Sequence, residues 1–411
     1  MTGIEQSRKG PLEDVKVVDF TWSIVGPTTT SNYFASCGAT VVKMESMARP
    51  DQIRTSGPFR DNKPGLDRSA YFAHFNPGKY SATLNFNHPD TNKVAMRFVR
   101  WADIIIENFR PGTLDKWGLG YEELKKVNPG IIMLRTSAFG QTGPLSRARA
   151  YGTELISFSG FTQLTGWPDR DPAGIYGAYT DFITPHFAGA LLMSALLRQR
   201  KTGKGLYIDL AQLECSQQFL APAILEWTVN GKERMRDGNR SDRACPHGAY
   251  RCFGEDRWCS ITVFTDSQWE ALCRAAAKPE WLSDPRFKDL PGRKKYENDL
   301  DKLIESWTIN YSAEEVMENL QKHGVPAGVI KSSPDIYNDP QFTFREHFKV
   351  LNHREVGDFP FENPAFTLSG TPIGVKRPSP CFGEHNHYVY TQLLGMSDDE
   401  FARLIADHVI E

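Results

Sequence analysis

Three carboxylates and two histidines stand where this sequence could use them for chemistry. Asp181 follows a stretch rich in small residues, Gly174, Gly177 and Ala178, and opens a long apolar segment. A carboxylate there could simply cap the following helix, which is the ordinary use of Asp at such a place. It could also act as a covalent nucleophile on an activated acyl group. A helix N-terminus suits the second use, because it favours the ionised form and leaves backbone N–H groups free. Glu107 ends an apolar run, and Glu154 lies in an apolar stretch before Ser159 and Gly160, so either could be a buried, hydrogen-bonded partner. His186 is five positions beyond Asp181, off its helical face, and reads as structural. His247, between Pro246 and Gly248, lies in a loop-like stretch, and loops often carry function.

The elements that must hold these groups are written in the apolar runs. Ile104, Ile105 and Ile106 end abruptly at Asn108-Phe109-Arg110-Pro111-Gly112. A short amphipathic stretch follows (Tyr121 to Val127), then Asn128-Pro129-Gly130, then a second apolar run from Ile131 to Leu134. This spacing predicts strand, turn, helix, turn, strand. Upstream, Val15 to Phe20 and Val41 to Met44 read as strands, and Thr28 to Cys37 and Asp90 to Ala102 as helices. Strands alternating with helices imply a parallel sheet with right-handed crossovers, whose carboxyl-end loops bind ligands. The glycine fingerprint of a dinucleotide site is missing after the first strand, where Thr21 to Pro27 reads TWSIVGP, so a nicotinamide or flavin is disfavoured. Asp181 to Arg200 reads as a long helix with Pro185 in or near its first turn, ending at Gly203, and Leu206 to Leu210 as a strand. From about Leu225 the charge becomes denser and mixed elements run to Pro326, which predicts a second, smaller α+β domain.

Composition narrows the class. The 411 residues suggest two or three domains, and 40% hydrophobic with 24% charged residues is ordinary for an enzyme in solution. A net charge of −2 points to neither nucleic acid nor a membrane surface. We expect no membrane span, since no apolar stretch approaches roughly 20 residues. The N-terminus lacks a signal-like apolar region, and the 7 scattered cysteines contain no C-x-x-C, which together suggest a cytoplasmic location and no metal site.

The wording of the motifs resembles the class III coenzyme A-transferase family, the formyl-CoA, carnitine and bile-acid CoA-transferases. Two segments are hallmark-like: the ENF-x-PG run from Glu107 to Gly112, and the S-x-F-G-x-x-GP run from Ser137 to Pro144. Pro11 to Thr30, Gly78-Lys79-Tyr80-Ser81, Tyr179-Thr180-Asp181, Arg200 to Gly205, Pro246-His247-Gly248, His323 to Gly328 and Gly383-Glu384-His385 follow the family order. The resemblance covers nearly the whole chain.

It implies an α/β fold with a Rossmann-like large domain (1–224), an inserted small domain (225–330) and a C-terminal segment (331–411) returning to the large one. It also implies an interlocked dimer, of identical or homologous chains. On this resemblance Asp181 carries the acyl group as an aspartyl anhydride, and the reaction needs no ATP, metal or permanently bound cofactor, coenzyme A being a co-substrate. Val25, Arg49, Asn108, Phe109 and Lys116 fall on coenzyme A contact positions, with Arg54, Lys125 and Arg149 as weaker candidates. Tyr151, His247, Gly248 and Ile24 would line the acyl pocket, Ile24 standing where the formyl-CoA type has a glutamine. The related α-methylacyl-CoA racemases pair an Asp with a His from a G-H-D segment; here Ala150-Tyr151-Gly152 stands instead, so that second base is missing. A scaffold subunit of a heteromeric transferase is a third reading, weakened by the retained Asp181. The family resemblance suggests succinyl-CoA as donor. The acceptor would be a dicarboxylic or aromatic acid such as benzylsuccinate, for which Trp22, Phe139, Phe158 and Trp167 supply rings.

Overall fold

The apolar runs of the first half become the strands of one parallel sheet. A computed structural model describes residues 9–23 and 25–411. The strands are β1 (Lys16–Phe20), β2 (Thr40–Glu45), β3 (Tyr80–Thr83), β4 (Ile104–Glu107), β5 (Ile132–Ser137) and β6 (Leu206–Ala211). They lie in the order β3-β2-β1-β4-β5-β6, every neighbouring pair parallel. This is the doubly wound order, and the crevice at which it reverses opens between the carboxyl ends of β1 and β4.

The α-helices between residues 25 and 230 are α1 (Val25–Ser36), α2 (Ala70–Phe75), α3 (Thr91–Trp101), α4 (Thr113–Lys116), α5 (Tyr121–Val127), α6 (Gly152–Ser159), α7 (Phe161–Leu164), α8 (Tyr179–Thr202), α9 (Gln212–Gln217) and α10 (Ala221–Asn230). Both faces of the sheet are covered. Val18, Val42, Ile105 and Met133 pack with Phe98 of α3, Leu124 of α5 and the C-terminal Tyr390 and Ile410. Val17, Val41, Ile104, Ile106 and Leu134 pack with Phe34 of α1 and with Ile183, Leu192 and Leu196 of α8. Alternate residues feeding opposite cores explain why each strand reads as an unbroken apolar run. Edge strand β3 lacks such a run. Its outer side is covered by residues 383–386, through His385 N–H to Ser81 O (3.0 Å) and Thr83 N–H to the Asn386 side chain (2.8 Å).

Two details of α8 differ from expectation. It begins at Tyr179, before Asp181, so Pro185 lies beyond the first turn. A proline there cannot donate to the carbonyl four residues back, which is that of Asp181. The helix is also long and apolar enough, by length and composition, to cross a membrane, contrary to the expected lack of any such stretch. Half of its most apolar window is nevertheless buried in the protein, because one side of it builds the sheet's core.

The second unit comprises Gln163–Ala173 and Met235–Pro340, the remainder of the described chain forming the first. Strands β7 (His247–Arg251), β8 (Trp258–Thr262) and β9 (Ala327–Val329) form an antiparallel sheet. Helices at 266–275, 297–308 and 313–322 pack on it around Trp269, Leu300, Ile304 and Leu320. This is an α+β unit. Its limits lie further along the chain than residues 225 and 330, because α10 runs through position 225 as part of the first unit. The 163–173 excursion joins it through Gly238 N–H to Gly166 O (2.7 Å) and the Arg236 guanidinium on the carbonyls of Trp167 and Arg170.

Candidate active site

Asp181 sits in the first turn of α8, only 5% exposed. Gln212, the first residue of α9, donates its side-chain N–H to Asp181 Oδ1 at 2.7 Å. Among the described residues no donor reaches Oδ2. Glycines clear the space around this carboxylate: a Cβ at Gly152 would lie 2.6 Å from Oδ1, and one at Gly26 would lie 2.7 Å from the Asp181 carbonyl oxygen. The N-terminal turns of α1, α6 and α8 therefore meet at one carboxylate. Burial raises its pKa to about 6, the Gln212 hydrogen bond opposing the rise. The charge is felt at Tyr71 of α2, whose hydroxyl is pushed up by burial and then by Asp181.

The turn after β1 leads from the sheet to this point, and its backbone is pinned at each residue. Thr21 N–H bonds Asp19 Oδ1 (2.8 Å), and Lys43 Nζ donates to Thr21 O (2.6 Å). Trp22 N–H bonds Asn108 Oδ1 (2.8 Å), and Asn108 Nδ2 donates back to Trp22 O (2.7 Å). Ser23, in the left-handed region at φ 71°, is held through its N–H by Asp51 Oδ1 (2.8 Å). The pins rest on buried charge. Lys43 pairs with Asp51, and Lys79 with Asp19, each at 2.9 Å. Burial alone would raise the Asp19 pKa, but Lys79, Lys43 and the Ser31 and Thr21 hydroxyls outweigh it and bring it to about 2. Burial lowers Lys79 to about 8, against the pull of Asp19, so the pair is ionised at neutral pH.

Over the switch point the aromatic rings gather. Trp22 meets Phe109 edge-on at 4.8 Å, and Phe86 stacks on Trp117 at 4.3 Å, with Phe109 5.3 Å from Trp117. Asn108 and Phe109 thus stand at the carboxyl end of β4, beside the turn that ends at Gly26. Phe86 and Trp117 were not singled out from the sequence; each lies in a polar surface stretch. Glu107 is buried, accepts Phe109 N–H (2.6 Å) and pairs with Arg135 (3.0 Å), a supporting role. Burial raises its pKa to about 8, Arg135 and the Phe109 N–H opposing.

The other expected residues divide sharply. Arg49, after β2, and Lys116, ending α4, are exposed cations with no ion-pair partner among the described residues. Val25 supplies the first backbone of α1, and Ile24 lies outside the described residues. Tyr151 is 55% exposed and precedes Gly152. Glu154 is exposed rather than buried, its carboxylate taking the Tyr151 N–H (3.0 Å) at the start of α6. Arg54 is fully buried, bonded twice to Glu45 and once to Asp67, with its guanidinium 3.6 Å from the Phe72 ring centre. It cannot reach a phosphate. His247 and Gly248 are strand residues of β7 in the second unit rather than loop residues, and the His247 ring bonds the Asn239 carbonyl. His186 is exposed, stacked near Tyr33 at 6.1 Å. Trp167 belongs to the second unit, while Phe139 and Phe158 meet edge-on at 5.3 Å in the first.

A doubly wound sheet with a ring-lined switch point and a buried carboxylate beside it is the arrangement in which α/β proteins hold ligands, at the carboxyl ends of their strands. The chain belongs to CoA-transferase family III, whose model matches residues 12–386. It is 33% identical over 400 residues to the succinyl-CoA–D-citramalate CoA-transferase of Chloroflexus aurantiacus, covering 97% of this chain and 98% of that one. It is 30% identical over 411 residues to the alpha subunit of a succinyl-CoA–L-malate CoA-transferase of Chloroflexus aurantiacus, covering 100% of this chain and 94% of that subunit. Among solved structures, a CAIB/BAIF family protein from Brucella suis aligns with a TM-score of 0.85 at 31% identity, covering 94% of this chain and 100% of the other.

Proposed function

We propose that this CoA-transferase moves coenzyme A from a dicarboxylyl-CoA donor, succinyl-CoA, to a dicarboxylic acid acceptor through an anhydride on Asp181. The observation that carries this reading is the state of that carboxylate: buried, ionised at neutral pH, with one oxygen held by Gln212 and no donor on the other among the described residues. Oδ2 attacks the thioester carbonyl, the C–S bond breaks, and the electron pair leaves on sulfur as the CoA thiolate. The mixed anhydride stays activated, so no outside energy source is needed. The thiolate then adds to Asp181 Cγ and expels the donor acid as its carboxylate. The acceptor carboxylate attacks the resulting aspartyl thioester at Cγ, expelling thiolate and forming a second anhydride, and the thiolate then attacks the acceptor's acyl carbon, releasing the Asp181 carboxylate and the new acyl-CoA.

The rings of Trp22, Phe86, Phe109 and Trp117 suit the adenine and pantetheine arm, with Asn108 supplying polar contact and Arg49 and Lys116 the cations for phosphate. Trp22 and Gly26 are four residues apart in sequence, so the ring cluster and the Asp181 turn are joined by a path of at most about 14 Å. An extended thioester lying along this turn would present its acyl carbon to Oδ2. The C. aurantiacus relatives named for succinyl-CoA with citramalate or malate favour dicarboxylic acceptors over aromatic ones. The racemase reading lacks support at the carboxylate itself, since no histidine hydrogen-bonds Asp181 among the described residues.

A panel of acyl-CoA donors against acid acceptors, read by mass spectrometry with Asp181→Ala as control, tests this. The wild type is expected to exchange CoA between dicarboxylates, and the variant to lose exchange while keeping its fold. Hydrolysis or α-proton exchange as the sole activity, or turnover by the variant, would defeat the reading.

A further inference from the structure

We propose that Gln212 is the oxyanion donor for every step in which Asp181 Cγ is attacked, an inference that rests on the reading of Asp181 as nucleophile. Gln212 is 1% exposed and opens α9 directly from the carboxyl end of β6, so it is carried by the sheet itself. Ser216 Oγ donates to its backbone carbonyl at 2.8 Å, tying it into the helix. A buried glutamine beside a buried carboxylate could serve only to satisfy it. The geometry points further, because the two carboxylate oxygens are unlike.

Oδ1 accepts the Gln212 Nε2–H at 2.7 Å, whereas no donor reaches Oδ2 among the described residues. Oδ2, which no donor holds, is then the oxygen that attacks the incoming acyl carbon. Once Oδ2 is acylated, Oδ1 becomes the carbonyl oxygen of Cγ. When the CoA thiolate adds there, the C–S bond forms and the π pair of Cγ=Oδ1 moves onto Oδ1. Collapse restores the double bond and breaks Cγ–Oδ2, the pair leaving with the acyl carboxylate. The attack of the acceptor on the aspartyl thioester places charge on Oδ1 again, and there thiolate is the leaving group. Gln212 already donates to this atom in the resting carboxylate, so no reorganisation is needed when charge returns to it in each addition.

The experiment uses full-length protein, an acyl-CoA that the wild type turns over and that donor's own acid carrying a carbon label, so that exchange needs no knowledge of the acceptor. Gln212→Leu is expected to slow exchange about 10²–10³-fold, the cost typical of a lost oxyanion donor. Its Kd for free coenzyme A should stay within about threefold, since ground-state binding is not touched. Hydroxylamine quenching should trap a larger fraction of Asp181 as hydroxamate than in the wild type, because the anhydride forms but decays slowly at Cγ. Gln212→Met, a closer match in shape, serves if the leucine variant does not fold. Exchange within about threefold of wild type, or a loss of rate without accumulation of modified Asp181, overturns the proposal. Failure of the parent reading looks different: Asp181→Ala would retain exchange, or the wild type would give no hydroxamate at Asp181.

Discussion

Asn108 and Trp22 hold each other in both directions, the Asn108 side chain accepting from Trp22 N–H at 2.8 Å and donating to Trp22 O at 2.7 Å. The pair spans the switch point, joining the turn after β1 to the end of β4. One planar amide thereby does the work that a sheet ladder does further down, after the two strands have parted. It also sets the Trp22 indole against Phe109, the residue next to Asn108.

Asn108→Ala removes both bonds and leaves two partly buried backbone groups unpaired. We expect a loss of about 1–3 kcal/mol in unfolding free energy and a rise in KM for acyl-CoA larger than any fall in kcat. Denaturant titration and steady-state kinetics measure the two. A variant whose kcat alone falls would mean that Asn108 acts on the chemistry rather than on the binding turn.

How much of this was legible in the sequence follows from the kind of signal each part leaves. Strands β1, β2, β4 and β5 announce themselves because both their faces are buried. Strand β3, Tyr-Ser-Ala-Thr, is an edge whose polar side chains bond residues 383–386, and a four-residue polar strand has no period to read. Asp181 is legible in the sequence as a candidate nucleophile, but Gln212, which hydrogen-bonds it, is not. Their contact spans the β6–α9 junction, and a glutamine after a strand carries no local mark. Arg54 misled for a related reason, since its partners Glu45 and Asp67 become visible only once the chain folds.

Gly152→Ala tests the clearance at the carboxylate. The added methyl would meet Ala178 Cβ at 2.5 Å and Asp181 Oδ1 at 2.6 Å, and neither a helix turn nor the proposed nucleophile can move without cost. We expect CoA transfer to fall about 10²-fold or more, as displacement of a reacting group by an ångström does. Helix propensity favours alanine over glycine by roughly 1 kcal/mol, so the stability change should be smaller than the clash alone suggests. Activity within about threefold of wild type would place the reacting carboxylate elsewhere.

The pKa of Asp181 couples activity to pH and to stability with opposite signs. With Asp181 as the proposed nucleophile, activity requires the carboxylate ionised, so kcat/KM should fall about tenfold per unit as pH drops below about 6. Stability runs the other way. The folded-state pKa, about 6, lies above the ordinary 3.8, so the folded protein holds its proton more tightly than the unfolded chain. The penalty is absent below pH 3.8, grows between there and about 6, and is complete above. Asp181→Asn removes the charge and should therefore melt at a higher temperature than wild type at pH 8. The gain, at most about 3 kcal/mol from that shift, should shrink toward zero as the pH approaches 4. Calorimetry across this range decides it, and equal melting temperatures at pH 8 would show that the carboxylate is not held at a cost.

The final expectation concerns assembly. None of the residues of α10 is buried, although its sequence is strongly apolar. Ile224 is 46% exposed, Leu225 and Trp227 58% and Val229 74%. Phe219, just before the helix, is 54% exposed, and Leu197 on α8 58%. Burying a side chain of this size is worth roughly 1.5–3 kcal/mol, so leaving this set in water forfeits far more than a helix of ten residues can supply by itself. Large apolar side chains exposed in this number favour a partner surface, and we expect a dimer in which α10 is covered. Light scattering on the chain expressed alone should give twice the 46.4 kDa chain mass, and Trp227→Glu should shift it toward the single-chain mass. A stable, active single chain would overturn this, whereas an insoluble chain rescued by co-expression with a related subunit would make the partner a homologous chain rather than an identical one.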